Sequence, residues 1–165
     1  MKILKKIILL ILMMSLGLLA EDSKWQFTTD DLYTMSYKEK EILSMARQIG
    51  YTYGLGDALV HIAAVETRFG VLKSKNNSHC GPMQISRKHS GTTCKALRDN
   101  LYLSMMLAVK NLKYWLDIYD GNMKKALVAY NGGYGYNPHG KEYLKRIDQV
   151  KYAIRLVERT GDRLT

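Results

Sequence analysis

Asp57-Ala58-Leu59-Val60-His61-Ile62-Ala63-Ala64-Val65-Glu66-Thr67-Arg68-Phe69-Gly70 is the stretch whose reading decides the fold class. Asp57 is a good helix N-cap, because its carboxylate can accept a free backbone N–H of the first turn. Ala58, Ile62 and Val65 share one helical face, with Leu59 and Ala63 beside them, and Gly70 is a stop signal. The spacing predicts an apolar helix from Asp57 to Phe69. One carboxylate, Glu66, closes it. Flanked by core residues, Glu66 faces a desolvated setting, and it sits in the last turn, where the helix dipole disfavours a negative charge. Both effects favour the protonated acid that a leaving oxygen needs. Arg68, two residues on, points off another side of the helix and need not cancel them. From this helix alone, a surface glutamate on an amphipathic helix is the simpler reading.

Outward from that helix the pattern stays helical. Ser36 and Glu39 have capping-box spacing, Ile42, Ala46 and Ile49 form an apolar stripe, and Gly50 is expected to end that helix. Leu101, Met105, Ala108, Leu112, Trp115 and Tyr119 predict a long buried stripe between Asn100 and Gly121. A short helix follows from Asn122 to about Tyr130. A last one covers about Lys141 to Arg159, buried through Tyr143, Leu144, Ile147, Val150 and Ile154. Residues 71–98 show no clean period, and a connection that long inside one domain is usually functional. The expectation is a mainly α, single-domain fold of about five helices around a groove, with at most a small hairpin in 71–98. The loop 132–140 is rich in glycine and aromatic residues.

The 165 residues suit one domain with a real core. Residues 1–20 stand apart. Lys2, Lys5 and Lys6 precede an apolar run to Leu19, and Ala20 leads into Glu21-Asp22-Ser23. That order is a secretory signal or, left uncleaved, an N-terminal anchor, and the apolar run is shorter than the roughly 20 residues a bilayer span needs. Residues 21–35 then read as a loose N-terminal arm with Trp25, Phe27 and Tyr33 as docking points, and 36–165 as the domain. Without residues 1–20 the net charge falls from +10 to +7. A basic exported chain has cell-wall polymers, membrane surfaces and nucleic acid as candidate anionic partners, although a solvated surface explains the charge equally. Export makes a Cys80–Cys94 disulfide the default, worth roughly 3 kcal/mol in the chain-entropy model. His79 and His89 lie nearby, but the spacing fits no usual zinc pattern, and no metal or cofactor is expected.

A glycosidase usually needs two carboxylates roughly 5–9.5 Å apart. Asp57 is about 13 Å from Glu66 along the helix axis. Asp99 belongs to a helix start, and Asp117 and Asp120 lie near a helix end. The missing second acid favours chemistry in which the substrate supplies its own nucleophile. Two further segments bear on a sugar site: Gly81-Pro82-Met83-Gln84-Ile85, a turn followed by an amide, and Ala129-Tyr130-Asn131 at a helix end. Gln and Asn can pair with hydroxyls and acetamides, and a Tyr ring can cover a sugar face. Taken singly, Tyr130 reads as core, Met83 as packing and Asn131 as a helix cap.

Together, Glu66-Thr67-Arg68-Phe69-Gly70, Gly81-Pro82-Met83-Gln84-Ile85 and Ala129-Tyr130-Asn131 resemble the three signatures of the soluble lytic transglycosylases, which are similar in fold to goose-type lysozyme. The likeness covers about Gly54 to Val157. It implies a lysozyme-like domain that cleaves the MurNAc–GlcNAc β-1,4 bond of peptidoglycan. Glu66 matches the catalytic glutamate, acid to the leaving oxygen and then base to the MurNAc 6-hydroxyl, giving a 1,6-anhydro product. Met83, Gln84, Tyr130 and Asn131 match groove residues, and Tyr143 matches a tyrosine of the last helix. Two positions depart from the family pattern: Thr67 stands for the usual Ser, and Pro82 for an aliphatic residue, stiffening the turn and removing one N–H.

The same fold can host a hydrolytic muramidase, in which water replaces the 6-hydroxyl. A non-catalytic wall-binding module is the third reading, and it predicts loss of the glutamate. Nucleic-acid binding rests on charge alone and conflicts with export. His61 has no HExxH partner and reads as a core or interface histidine. The expected partner is the peptidoglycan glycan strand, with no nucleic acid, membrane contact only through an uncleaved signal, a monomeric state, and a place in the periplasm or cell envelope.

Overall fold

Helix α3, Ala58–Thr67, is apolar all round and buried all round: of its ten residues only His61 and Glu66 are not fully buried. A helix of this kind is stable only when neighbours cover every face. In this computed structural model, which describes residues 25–72, 77–135 and 137–162, the cover comes from α2 (Tyr37–Thr52), α6 (Leu101–Ile118) and α8 (Gly140–Arg159). Helix α7 (Met123–Gly132) packs against α6 and α8. These five helices are the ones the periodicity predicts. Three shorter ones, α1 (Thr29–Tyr33), α4 (Arg87–Ser90) and α5 (Cys94–Asp99), were not expected as helices. The predicted small hairpin is present as β1 (His79–Cys80) and β2 (Ile85–Ser86), antiparallel with Cys80 opposite Ile85. The fold is mainly α, as the pattern implied. Among the described residues no helix is long and apolar enough to cross a membrane. The signal expected at 1–20 lies outside them.

The caps follow the chemistry of the sequence at most ends. Ser36 and Glu39 form the capping box: Ser36 N–H donates to Glu39 Oε2 at 2.7 Å and Ser36 Oγ accepts from Glu39 N at 3.3 Å. Asn100 caps α6 by accepting from Leu103 N at 2.9 Å, and Asn122 caps α7 from Lys125 N at 3.1 Å. Asp57 holds the N-cap position of α3 but makes no capping bond. It accepts from Arg47 Nε of α2 at 3.1 Å instead, because a cation from the neighbouring helix competes for the same carboxylate.

Two helix ends differ from the glycine signals. Helix α2 runs past Gly50 to Thr52. Gly50 is a close-approach residue: a Cβ there would lie 2.2 Å from the carbonyl oxygen of Gly56. Helix α3 ends before Gly70, because Arg68 and Phe69 take the left-handed conformation at φ 51° and 62°. Tertiary contacts hold this uncommon pair. Phe69 is fully buried, and Arg68 pairs with Asp31, donates to the Gln26 carbonyl and lies 5.6 Å from the Trp25 ring.

Those contacts correct the reading of the N-terminal stretch. From Trp25 onward it is not a loose arm: Phe27, Leu32 and Met35 belong to the core, and α1 packs on α8. Tyr33 is exposed, with its hydroxyl donating to Asp162 at 3.1 Å. Leu144 and Tyr119, expected in buried stripes, are only half-buried against the core.

Candidate active site

Glu66 is the acid that the fold isolates. It stands at the end of α3, and burial raises its pKa above the ordinary 4.5. Three groups partly offset that rise. Tyr143 of α8 donates its hydroxyl to Glu66 Oε1 at 2.9 Å. The Asn131 side chain also favours the ionised carboxylate, as does the positive charge of Arg146, one turn beyond Tyr143. No other carboxylate among the described residues contributes to the shift. The surface reading of this glutamate is therefore overturned by packing that one helix cannot reveal.

The residues of the other two segments reach the same place by different routes. Tyr130 sits on α7, half-buried, and donates its hydroxyl to the Met83 carbonyl at 2.8 Å. Burial and the nearby Glu66 charge push both the Tyr130 and Tyr143 hydroxyls well above 10, so both remain protonated donors. Asn131 follows on the exposed end of α7. Asn137 Nδ2 donates to Asn131 Oδ1 at 3.4 Å, and the Asn131 side chain acts on the Glu66 carboxylate.

Met83 is fully buried, so its side chain packs in the core instead of lining a groove. Its carbonyl, through Tyr130, is what it contributes. Gln84 lines the groove with a backbone at φ 45°, and its Nε2 donates to the carbonyls of Leu72 and Gly81 at 3.1 Å each. The amide is thus engaged in holding the turn, and its oxygen remains as an acceptor. Pro82 and Thr67, the two departures, meet each other: the Thr67 hydroxyl lies 3.1 Å from both the Pro82 and Ala63 carbonyls. The bond to the Pro82 carbonyl ties the turn to α3 one residue from Glu66.

Cys80 and Cys94 are joined, with Cα atoms 5.3 Å apart. The bridge ties β1 to the start of α5 and braces one wall of a groove of about 1260 Å³. Gln84, Ala129, Tyr130, Asn131 and Gly132 line it, as do Arg87, Lys88, Lys110, Tyr114, Trp115 and Tyr134. The aromatic group among these was missed from sequence. Trp115 and Tyr134 meet edge-to-face at 4.6 Å between centroids, and the hydroxyls of Tyr114 and Tyr134 bond to each other. A signal existed: Leu107, Lys110, Asn111 and Tyr114 share a second face of α6 at helical spacing, beside the buried stripe that holds Trp115. Arg146 and Asn137 carried no motif and were also missed.

The arrangement offers one desolvated carboxyl, neutral hydroxyl and amide donors around it, and an open groove with aromatic faces. It suits transfer of a proton to and from an uncharged polymer bond. No curated protein and no solved structure matches the chain at a significant level. The model of the transglycosylase SLT domain matches residues 45–151, which include Glu66, the Gly81–Ile85 turn, Ala129–Asn131 and Tyr143, and the chain belongs to that family.

Proposed function

We propose that the protein is a lytic transglycosylase of peptidoglycan that cleaves the MurNAc–GlcNAc β-1,4 bond without water and leaves a 1,6-anhydro-MurNAc end. The observation that carries this reading is the state of Glu66: one buried carboxyl with a raised pKa, and no second carboxylate acting on it among the described residues. Protonated Glu66 gives its proton to the leaving oxygen as the glycosidic bond breaks. The Tyr143 hydroxyl and the Asn131 amide donate to the carboxylate so formed. Glu66 then takes the proton of the MurNAc 6-hydroxyl as its oxygen closes on the anomeric carbon. One proton leaves the carboxyl and one returns, and no cofactor takes part.

Gln84, Tyr130 and Asn131 serve the sugars, Tyr143 positions the carboxyl, and Met83 acts through its carbonyl on Tyr130. The site of action is the periplasm or cell envelope, reached through the N-terminal signal. The role there is wall remodelling, passage for a secretion machine, or phage lysis. The protein acts as a monomer.

Mass spectrometry of purified peptidoglycan digested with the mature protein, beside Glu66→Gln, tests the reaction. Anhydro-MurNAc ends that vanish in the variant are the expected result. Reducing MurNAc ends would replace the proposal with a water-using muramidase, and no cleavage by either protein would point to a binding module.

A further inference from the structure

The groove has two chemically different sets of lining residues. One is aromatic, with Tyr114 and Tyr134 exposed at 46% and 65% over the buried Trp115. The other is cationic: Arg87 and Lys88 from α4, and Lys110 from α6, the helix that also carries Tyr114 and Trp115. Among the described residues no aspartate or glutamate lines the groove, although the chain has 15; Glu66 is set back from it, beside the lining residues Tyr130 and Asn131. All three cations are exposed, and among the described residues none has an ion pair. Other described cations without an ion pair, Lys40, Lys124 and Arg155 among them, lie outside the groove, whereas these three share it. Three exposed cations without an acid partner, gathered on one groove, make an anion-binding edge.

We infer that this edge binds the carboxylates of the peptide stems carried by the glycan, with Arg87, Lys88 and Lys110 as the contacts, so that the protein selects strands with charged stems. The inference rests on the peptidoglycan reading of the groove. Lys110 and Tyr114 are one turn apart on α6, about 6 Å of rise. A sugar ring covering Tyr114 therefore brings the substituent on that sugar within reach of the Lys110 ammonium, whose stem is long and free to turn. Arg87 offers a planar fork that matches a carboxylate with two parallel bonds. Sugar rings and stem carboxylates are recognised by different side chains of one groove, a division that a neutral polysaccharide cannot exploit. Like other exposed charge contacts, the cationic edge also speeds capture of the strand and weakens with salt.

The test uses solubilised glycan strands with free stem carboxylates, and the same strands after N-acetylation of amines and capping of the carboxylates as methyl amides. The expected kcat/KM ratio is about tenfold in favour of charged strands at low salt, falling toward one at high salt. In the triple variant Arg87→Gln, Lys88→Gln, Lys110→Gln the ratio falls to about one at low salt as well. All three positions are exposed, and circular dichroism confirms folding. Affinity of Glu66→Gln for both strands is measured alongside. Equal affinity, or a triple variant that keeps the wild-type ratio, overturns the inference. Absence of cleavage by wild-type protein with a retained affinity difference overturns the proposed reaction and leaves the stem contacts standing.

Discussion

Tyr143 donates its hydroxyl to Glu66 across 2.9 Å, joining α8 to the end of α3. The bond favours the ionised carboxylate, while burial favours the protonated one, and burial wins. Tyr143→Phe keeps the ring and removes the donor. The expected outcome is a loss of kcat/KM of roughly tenfold or more. The basic limb of the pH–rate profile moves to higher pH, because the acid then loses its proton later. A basic limb that stays in place would show that this hydroxyl does not govern Glu66.

Glu66 also leaves a mark on stability. Its folded pKa lies above the ordinary 4.5, so its contribution is fully present below pH 4.5 and is lost as pH rises through the folded value. Glu66→Gln is therefore more stable than wild type at pH 7. The difference in melting temperature shrinks as the pH falls toward 4.5 and is absent below it. A variant no more stable than wild type at neutral pH would contradict a desolvated carboxylate.

His61 behaves in the opposite sense. Burial, then the charge of Lys151, lowers its pKa from 6.5 to about 4. Stability linked to it is complete above pH 6.5 and falls as pH drops through 4, by up to about 3 kcal/mol. Denaturant titrations of wild type and His61→Gln between pH 7 and 4 should diverge accordingly, with the variant showing the flatter dependence.

Gly81→Ala should be among the most damaging single changes in the turn. Gly81 has φ 75°, and a Cβ would lie 2.5 Å from the Leu97 carbonyl oxygen and 2.9 Å from Ser104 Oγ. A cost of about 2–4 kcal/mol is expected by chemical denaturation. Activity should fall with it, since Gln84 Nε2 bonds the Gly81 carbonyl. A cost below about 1 kcal/mol would mean that α5 yields easily.

Trp25 lies outside the matched 45–151 segment yet sits between two arginines, 5.6 Å from Arg68 and 5.3 Å from Arg146. It also stacks on Phe27 at 6.2 Å. Trp25→Ala removes both cation–π contacts and the stack, for an expected loss of about 2 kcal/mol, with Trp25→Phe recovering part of it. A truncation to residue 45 should be less stable still, because Phe27, Leu32 and Met35 leave the core with it. Full stability in Trp25→Ala, read from the denaturation midpoint, would show that the N-terminal stretch is held by those core residues alone.

Much of the scaffold was legible because it rests on periodicity and local caps. Ile42, Ala46 and Ile49, or Met105, Ala108 and Leu112, repeat at helical spacing, and each is buried as that spacing requires. Ser36, Asn100 and Asn122 cap their helices through groups only three residues away. Asp57 was misread for the converse reason. Its partner Arg47 is ten residues off on another helix, where no local rule looks. The left-handed pair Arg68 and Phe69 is likewise held by Trp25, Gln26 and Asp31 and not by any nearby glycine.

By itself the chain's order of residues determined the helices, the lone carboxylate at the end of an apolar run, and the three short segments that mark a transglycosylase SLT domain. Those are local patterns, and local patterns depend only on spacing and side-chain chemistry. The tertiary structure alone decided between a surface and a desolvated Glu66, and decided that Tyr143 from 77 residues away donates to it, that Met83 serves through its carbonyl, and that aromatic and cationic side chains line one groove. Each of these depends on which helix faces cover one another. That choice is made by the packing of the whole core, which no window of sequence contains.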